Sequence, residues 1–402
     1  MRRLVCFLLA TCALDNGFPP AGAAEGSPAV LEISTDMLQL QEPRTELVLG
    51  WQQDINAGFH LGLDAVTRGF ALEGPDRLPQ RAAALAAFSG VSLIVNQAFS
   101  LTAHDERHME AARAIGSSDV SLVSNSGKPM SLGLFFLQAF DFTAEPGLYT
   151  YDPPADATPA DEARVRGAGL NTNLLTASRI ARQIDERGGH VTDLAPYLLN
   201  KLWGIPYFRE TGPDSDAAAY MDLVAEQGYH SVTAARVIGL SAASCVLSGG
   251  FLSLAGATWR YIADADAAAT PLGLTLGPVR ILWPEMTAWL NPDNVSVDAT
   301  VDAAWGTDVL LRAGADVPAL GNVAASPELT IGATVRIRPV RLGMELTSNG
   351  RGVPFLQGSA EIAVGERVSV GVEGFYGQGT TMREAREHPL GPGANAFLRT
   401  AL

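Results

Sequence analysis

Past Pro292 the chain settles into short segments in which apolar residues alternate with polar or small ones: VSVDATVDAAWG, DVLLRAGADV, ELTIGATVRIRPV, RLGMELTSNG, VPFLQGSAEIAVG and RVSVGVEGFYG. Successive side chains of an extended strand point to opposite faces, so a period of two gives each segment one apolar face. Turn sequences such as SNGRG and GER separate the segments, and connections that short join antiparallel neighbours. The expectation is an antiparallel β-meander of at least six strands over residues 292–402, ending in NAFLRTAL. Two architectures suit it. One is a β-domain packed on one face, and the other an outer-membrane barrel whose strands of about ten residues alternate lipid-facing and interior positions. Six or so strands are few for a free-standing barrel, and Leu398 and Leu402 stand where barrels often end in aromatics. The favoured reading is a sheet or partial barrel packed against a helical domain.

Residues 25–291 read as that helical domain, which makes the fold class α+β. A β-like stretch, VLEISTDMLQLQ, comes first. A helix then runs from Trp51 to about Phe70, with Ile55, Phe59, Leu63, Val66 and Phe70 at three- and four-residue spacing as its buried face. Ala82 to Ala103 is a run of 22 residues without a charge, long enough to cross a bilayer or to form a buried core helix. A loop-rich region spans 125–161. NTNLLTASRIARQIDERGG then reads as a helix capped by Asn173 and ended by Gly188 and Gly189. In a second uncharged run, Val237 to Trp259, the small residues Gly249, Ser253 and Ala257 permit close packing.

Residues 1–24, MRRLVCFLLATCALDNGFPPAGAA, have the charged start, short apolar run and small-residue end of a secretory signal peptide. Removing them leaves Cys245 as the one thiol, so no internal disulfide framework is expected, and its apolar setting suits a buried, inert side chain. The formal charge of −15 argues against a nucleic-acid partner. These features point to an exported, membrane-associated protein of the periplasm or outer membrane, with membrane lipid or an envelope protein as partner.

The chemistry-bearing stretch is LTAHDERHMEAARAIG, residues 101–116. His104 and His108 are four apart and share one face of a helix, where two imidazoles can hold one Zn²⁺ if a third ligand comes from elsewhere. His230 is the candidate third ligand, with His190 and Asp293 as others. His60 and Asp64, also four apart, form a second His/carboxylate pair able to orient an imidazole. Alternatively, Asp105, Glu106, Arg107 and Glu110 make a solvated face with local ion pairs, and the histidines are ordinary hydrogen-bonded ones. The aromatics Trp203, Tyr207 and Phe208 read as core or interface packing.

His104-Asp105-Glu106-Arg107-His108 resembles the H-E-x-x-H motif of zinc metallopeptidases, and the apolar run before it resembles the membrane-embedded, site-2-like members. The resemblance covers five residues and departs at one, since Asp105 stands in the place of the catalytic glutamate. It implies a cell-envelope zinc hydrolase acting on a peptide, with Asp105, or Glu106 in its stead, activating water. Aspartate is one methylene shorter than glutamate, and Glu106 is rotated about 200° from His104 on a helix. The alternative is a non-enzymatic envelope protein whose β-domain binds lipid, saccharide or a protein partner.

Overall fold

In the computed structural model, residues 30–34, 44–124, 127–140, 148–209, 212, 215–350, 354–365, 368–377, 381–383 and 393–401 are described. The signal-peptide segment with Cys6 and Cys12, and His388, lie outside them.

The order of elements is α+β, with the helices first. Strand β1 (Val30–Ser34) precedes helices α1 (Arg44–Gly69) and α2 (Leu78–Ala114). A small excursion follows, with β2 (Ser118–Val123), α3 (Leu132–Gln138) and β3 (Leu148–Asp152), in which β2 and β3 pair. Helix α4 (Pro159–Arg187) starts at a capping box between Thr158 and Asp161 and ends at Gly188, whose φ of 82° suits glycine. Asn173 is therefore an interior residue of this helix and not its cap. Strand β4 (Gly189–His190) leads into the short helices α5 (Leu194–Lys201) and α6 (Gly204–Tyr207), then α7 (Asp216–Glu226), α8 (Ala234–Leu247) and α9 (Gly249–Asp264). The second uncharged run is thus two helices, bent by 54° at Ser248. Gly249 makes the bend possible, because a Cβ there would lie 2.4 Å from the Trp283 carbonyl.

The remainder is β: β5 (Ala268–Ala269), β6 (Gly273–Leu276), β7 (Val279–Leu282), β8 (Glu285–Leu290), β9 (Asn294–Trp305), β10 (Val309–Gly321), β11 (Glu328–Ile337), β12 (Val340–Ser348), β13 (Phe355–Ala363), β14 (Val368–Tyr376) and β15 (Gly393–Ala401). Strands β9 to β15 are the expected meander, each antiparallel to the next. The sheet also begins earlier, at Gly273, and takes in β1 from the far end of the chain, which pairs with β15. Its eleven strands do not close into a barrel. Helix α1 packs on β1, and α4 and α8 pack on β8, so the helical body sits across the opening of the curved sheet. Between them lies a cavity of about 530 Å³ walled by charged side chains of both parts.

Burial follows hydropathy only in part in the first two helices. On α1 the polar Gln52, Asn56, His60 and Thr67 are buried along with Leu47, Val48, Leu49, Ala57 and Leu63, whereas Trp51 and Ile55, and Phe70 just past its end, are exposed. Of the apolar series expected to be buried, Leu63 is fully so, and Ile55 and Phe70 are not. On α2, Arg81, Ser92 and Asn96 are buried while Leu78, Val91, Leu93 and Ile94 are exposed. The polar residues are buried because they bond to one another. Asn96 Oδ1 accepts from Gln52 Nε2 (2.9 Å) and Asn56 Nδ2 (3.2 Å), and its amide donates to Asn56 Oδ1 and the Ser92 carbonyl. Residues 75–114 are long and apolar enough to cross a membrane by length and composition alone.

Candidate metal centre

From Ala98 to Ala112 helix α2 runs through the middle of the helical body, with Leu101 its one half-buried position. The solvated-face alternative is therefore overturned: His104, Asp105, Glu106, Arg107, His108 and Glu110 are all buried. Arg107 pairs with Glu110 (3.1 Å) and Glu46 (3.4 Å), and Glu110 accepts the Thr45 backbone N–H. Buried charges persist only with such partners.

The two imidazoles face α4. His108 Nδ1 lies 2.5 Å from the Val165 carbonyl, which can only accept, so the proton is on Nδ1 and the Nε2 lone pair is available. His104 Nδ1 lies 2.8 Å from Asn173 Oδ1. A chain of amides fixes that orientation: Asn200 Nδ2 donates to the Pro196 carbonyl, which leaves Asn200 Oδ1 to accept from Asn173 Nδ2 and turns Asn173 Oδ1 toward His104. Both Nε2 atoms converge on Gly169. A Cβ there would stand 2.3 Å from His108 Nε2 and 2.5 Å from His104 Nε2, so the absence of a side chain leaves the space between them open.

Carboxylates complete the group. Asp105 offers an oxygen such that one ligand atom from each of His104, Asp105 and His108 lies within 4.8 Å of the others. Asp216, at the start of α7, places Oδ2 3.4 Å from His108 Nε2. Its other oxygen takes the Tyr149 hydroxyl and Arg166 Nη1, each at 2.6 Å. Tyr149 stacks on the His108 ring at 4.3 Å, and Tyr207 meets the His104 ring edge-on at 5.5 Å.

The protonation states of the two imidazoles suit metal ligands. Burial pushes His108 down to about 4, opposed by Asp216, and His104 is lowered by the same cause against its Asn173 bond, the Asp216 charge and a bond to the Gly169 backbone. Both rings are thus neutral at pH 7, and the His108–Asp216 contact is a lone pair facing a carboxylate rather than an ion pair. Burial also presses the Asp216 carboxyl upward, but the Tyr149 hydroxyl and the Arg166 guanidinium outweigh it and hold the group below its ordinary value. Burial, then Asp216 and Glu106, drive Asp105 well above the usual carboxylate range. The buried group of His104, Asp105 and His108 can hold a metal ion, with neighbours that fix ring orientation in the way outer-shell partners of metal ligands do.

The other candidate residues lie elsewhere. His230 is exposed in the turn after α7 and does not join the group. Glu106 is fully buried but outside it. Asp293 braces a turn through Asn294 and Asn322. The second His/carboxylate pair crosses over: His60 bonds Asp193 (2.6 Å), Asp64 faces His190 (3.3 Å), and the two rings stack at 4.6 Å, tying α1 to the turn before α5. Cys245 is buried, and burial raises its thiol to about 11.

Fold and site together define an α+β protein with a buried histidine–carboxylate centre between two long helices. Compared with known proteins, the chain matches no family model, no curated protein sequence and no solved structure.

Proposed function

We propose that this is a zinc protein of the cell envelope, with the cation held by His104 Nε2, His108 Nε2 and an aspartate carboxylate. The observation that carries the reading is that His108 Nδ1 is held by the Val165 carbonyl while its Nε2, buried without a hydrogen-bond partner, meets His104 Nε2 at the side-chain-free space of Gly169. Two imidazoles and one or two carboxylates form a donor set suited to zinc. A zinc ion held there would supply Lewis acidity, with His104, Asp105 and His108 of α2 as its ligands and Asp216 of α7 as the neighbouring carboxylate.

The likeness to H-E-x-x-H peptidases extends the proposal to hydrolysis of a peptide carbonyl, with Asp105 as the proton acceptor. In its favour, Asp105 sits within the group and its carboxyl is shifted upward, in the direction that strengthens a general base. Against it stands closure, since His108 has no exposed surface and His104 and Asp105 have 5% and 8%. A structural cation is therefore the stronger of the two roles.

Elemental analysis of the purified chain tests the centre. Near-stoichiometric zinc is expected, lost in the His104→Ala/His108→Ala double variant. A metal-free wild type whose thermal midpoint is unmoved by added zinc overturns it. Asp105→Asn separates the roles: a variant that keeps its zinc and loses cleavage of a casein substrate has lost the base, whereas one that loses its zinc has lost a ligand. Wild-type protein that carries zinc and leaves casein intact is a structural metalloprotein.

A further inference from the structure

The sheet is built inside out. On β9 to β15 the residues directed at the cavity and the helices include Asp298, Arg312, Arg341, Glu345, Glu361 and Arg399. The opposite face carries Val297, Ala299, Val301 and Ala303 on β9, then Leu311, Ala313, Ala315 and Val317 on β10. Cross-strand register continues it. Ala313 pairs with Ile331, Ile331 with Leu346, Leu346 with Leu356, and Leu356 with Tyr376. A neighbouring row runs Val335, Leu342, Ala360, Val372, Ala396. No charged residue occurs on this face from β9 through Leu398, and many of its side chains are open to solvent, with Ile331 at 61% and Met344 at 63%.

We infer that the outer face of β9–β15 is a lipid-facing wall that seats in the hydrocarbon of a bilayer. Four observations select this occupant. Seven strands about 4.8 Å apart, each about nine residues at ~3.3 Å, make an apolar face of ~900 Å², whereas the largest patch on a soluble monomer is about 300–600 Å². The strands have 9 to 13 residues, the length that crosses a hydrocarbon core when tilted. Aromatic side chains stand at both rims, Trp305 at one and Tyr376 at the other, where amphipathic rings meet headgroups. Between the rims the face holds no side-chain hydrogen-bonding group, whereas a protein partner's interface of this size carries several. Hydrocarbon tolerates an open sheet only where protein covers the edges; α1 packs on the β1 edge and α4 with α8 on β8, and the other edge is the short strand β6, with Leu274 and Leu276 exposed. This inference is independent of the metal centre.

The test uses the full purified chain and extruded vesicles of phosphatidylethanolamine and phosphatidylglycerol, read by flotation after an alkaline carbonate wash. Wild type is expected to float with the vesicles. Arginine near the middle of a lipid-facing strand is unfavourable by at least ~30-fold and near a strand end by no more than about fivefold. Ile331→Arg and Met344→Arg should each therefore cut the bound fraction at least 30-fold, and Ile337→Arg, at the end of β11, at most fivefold. Should the mid-strand variants not fold, a membrane-soluble carbene reagent on wild type decides, with labelling of residues 329–348 expected. Wild type that stays monomeric and unbound, labelling confined to other segments, or a detergent-free dimer dispersed by Ile331→Arg would each overturn the inference, the last by assigning the face to a second copy.

Discussion

Gly169 has no side chain where two imidazoles meet, and that makes it the most informative single position in the helical body. Alanine is favoured over glycine by about 1 kcal/mol inside a helix, whereas overpacking costs about 1–3 kcal/mol. The Gly169→Ala variant should therefore lose only about 1 kcal/mol of stability. Its metal content should nevertheless fall to that of the double histidine variant, because the new Cβ lies within 2.5 Å of both Nε2 atoms. Elemental analysis beside a urea titration checks both halves of this prediction. His108 yields a second. In the unfolded chain it titrates near 6.5, and folded it remains neutral down to about 4. Between those values the unfolded chain binds a proton that the folded one refuses, so stability is full above pH 6.5 and falls as pH drops toward 4. The loss attributable to this group is about 3 kcal/mol. Urea unfolding of chelator-treated protein at pH 7.5 and 4.5 measures the slope, and His108→Gln should flatten it. An equally steep slope in the variant would show that the acid sensitivity lies elsewhere. The histidine pair was legible from its spacing alone. Asp216, Gly169, Asn173 and the Val165 carbonyl were not, because they reach the pair through the packing of α4 and α7 and carry no local pattern. His230 shows the converse: a suitable side chain with nothing in the fold to bring it inward.

Strands and helices differ in how readily their sequences are read. The meander strands match their alternating segments to within a few residues, since a period of two fixes the faces and short turns fix the partners. Which face is buried is a separate matter, and there the apolar series on α1 misleads. Ile55 and Phe70 have core spacing, yet α1 and α2 meet through Gln52, Asn56, Ser92 and Asn96. Asn173 misleads similarly: a residue typical of caps is held mid-helix by His104 and Asn200. The buried amide ladder is testable at this scale. Asn96 makes five such bonds, and Asn96→Ala leaves the Gln52 and Asn56 amides buried with lost partners. An ordinary hydrogen bond contributes about 1 kcal/mol net, but stranding buried polar groups costs about 1–3 kcal/mol for each. The variant should thus be destabilised by about 2–4 kcal/mol, seen as a lowered urea midpoint at unchanged slope. A change under 1 kcal/mol would mean that water already satisfies this ladder.

Across the whole molecule the sheet and the helical body meet through an apolar seam at β8 and β9, where Trp289, Leu290 and Val295 join the helical core, and through charge along the strands beyond it. From α4, Arg182 reaches Glu345 (3.2 Å), Glu186 reaches Arg341 (2.5 Å), and Arg187 reaches Glu361 (3.3 Å). Within the sheet Glu345 also pairs with Arg312 and Arg383, and Arg312 with Asp302. Composition does not disclose this, because an alternating strand reads the same whether its polar face meets water or a charged helix. Away from β8 the pairing follows from the inverted sheet, since a wall that turns its apolar residues outward leaves a polar face for the helices. Removing one member of a buried network costs about 3–5 kcal/mol when the remaining charges are dry. Here they line a cavity of about 530 Å³, large enough for water to screen them. Glu345→Ala should accordingly cost about 2–3 kcal/mol and loosen the helical body from the sheet. Removing an adjacent cation as well restores balance, so Glu345→Ala with Arg312→Met should be less destabilised than the sum of the single variants by about 1 kcal/mol or more. A double-mutant cycle in urea measures that coupling. Strict additivity would place Glu345 and Arg312 in bulk-like solvent and remove the ionic contact as a link between the two halves.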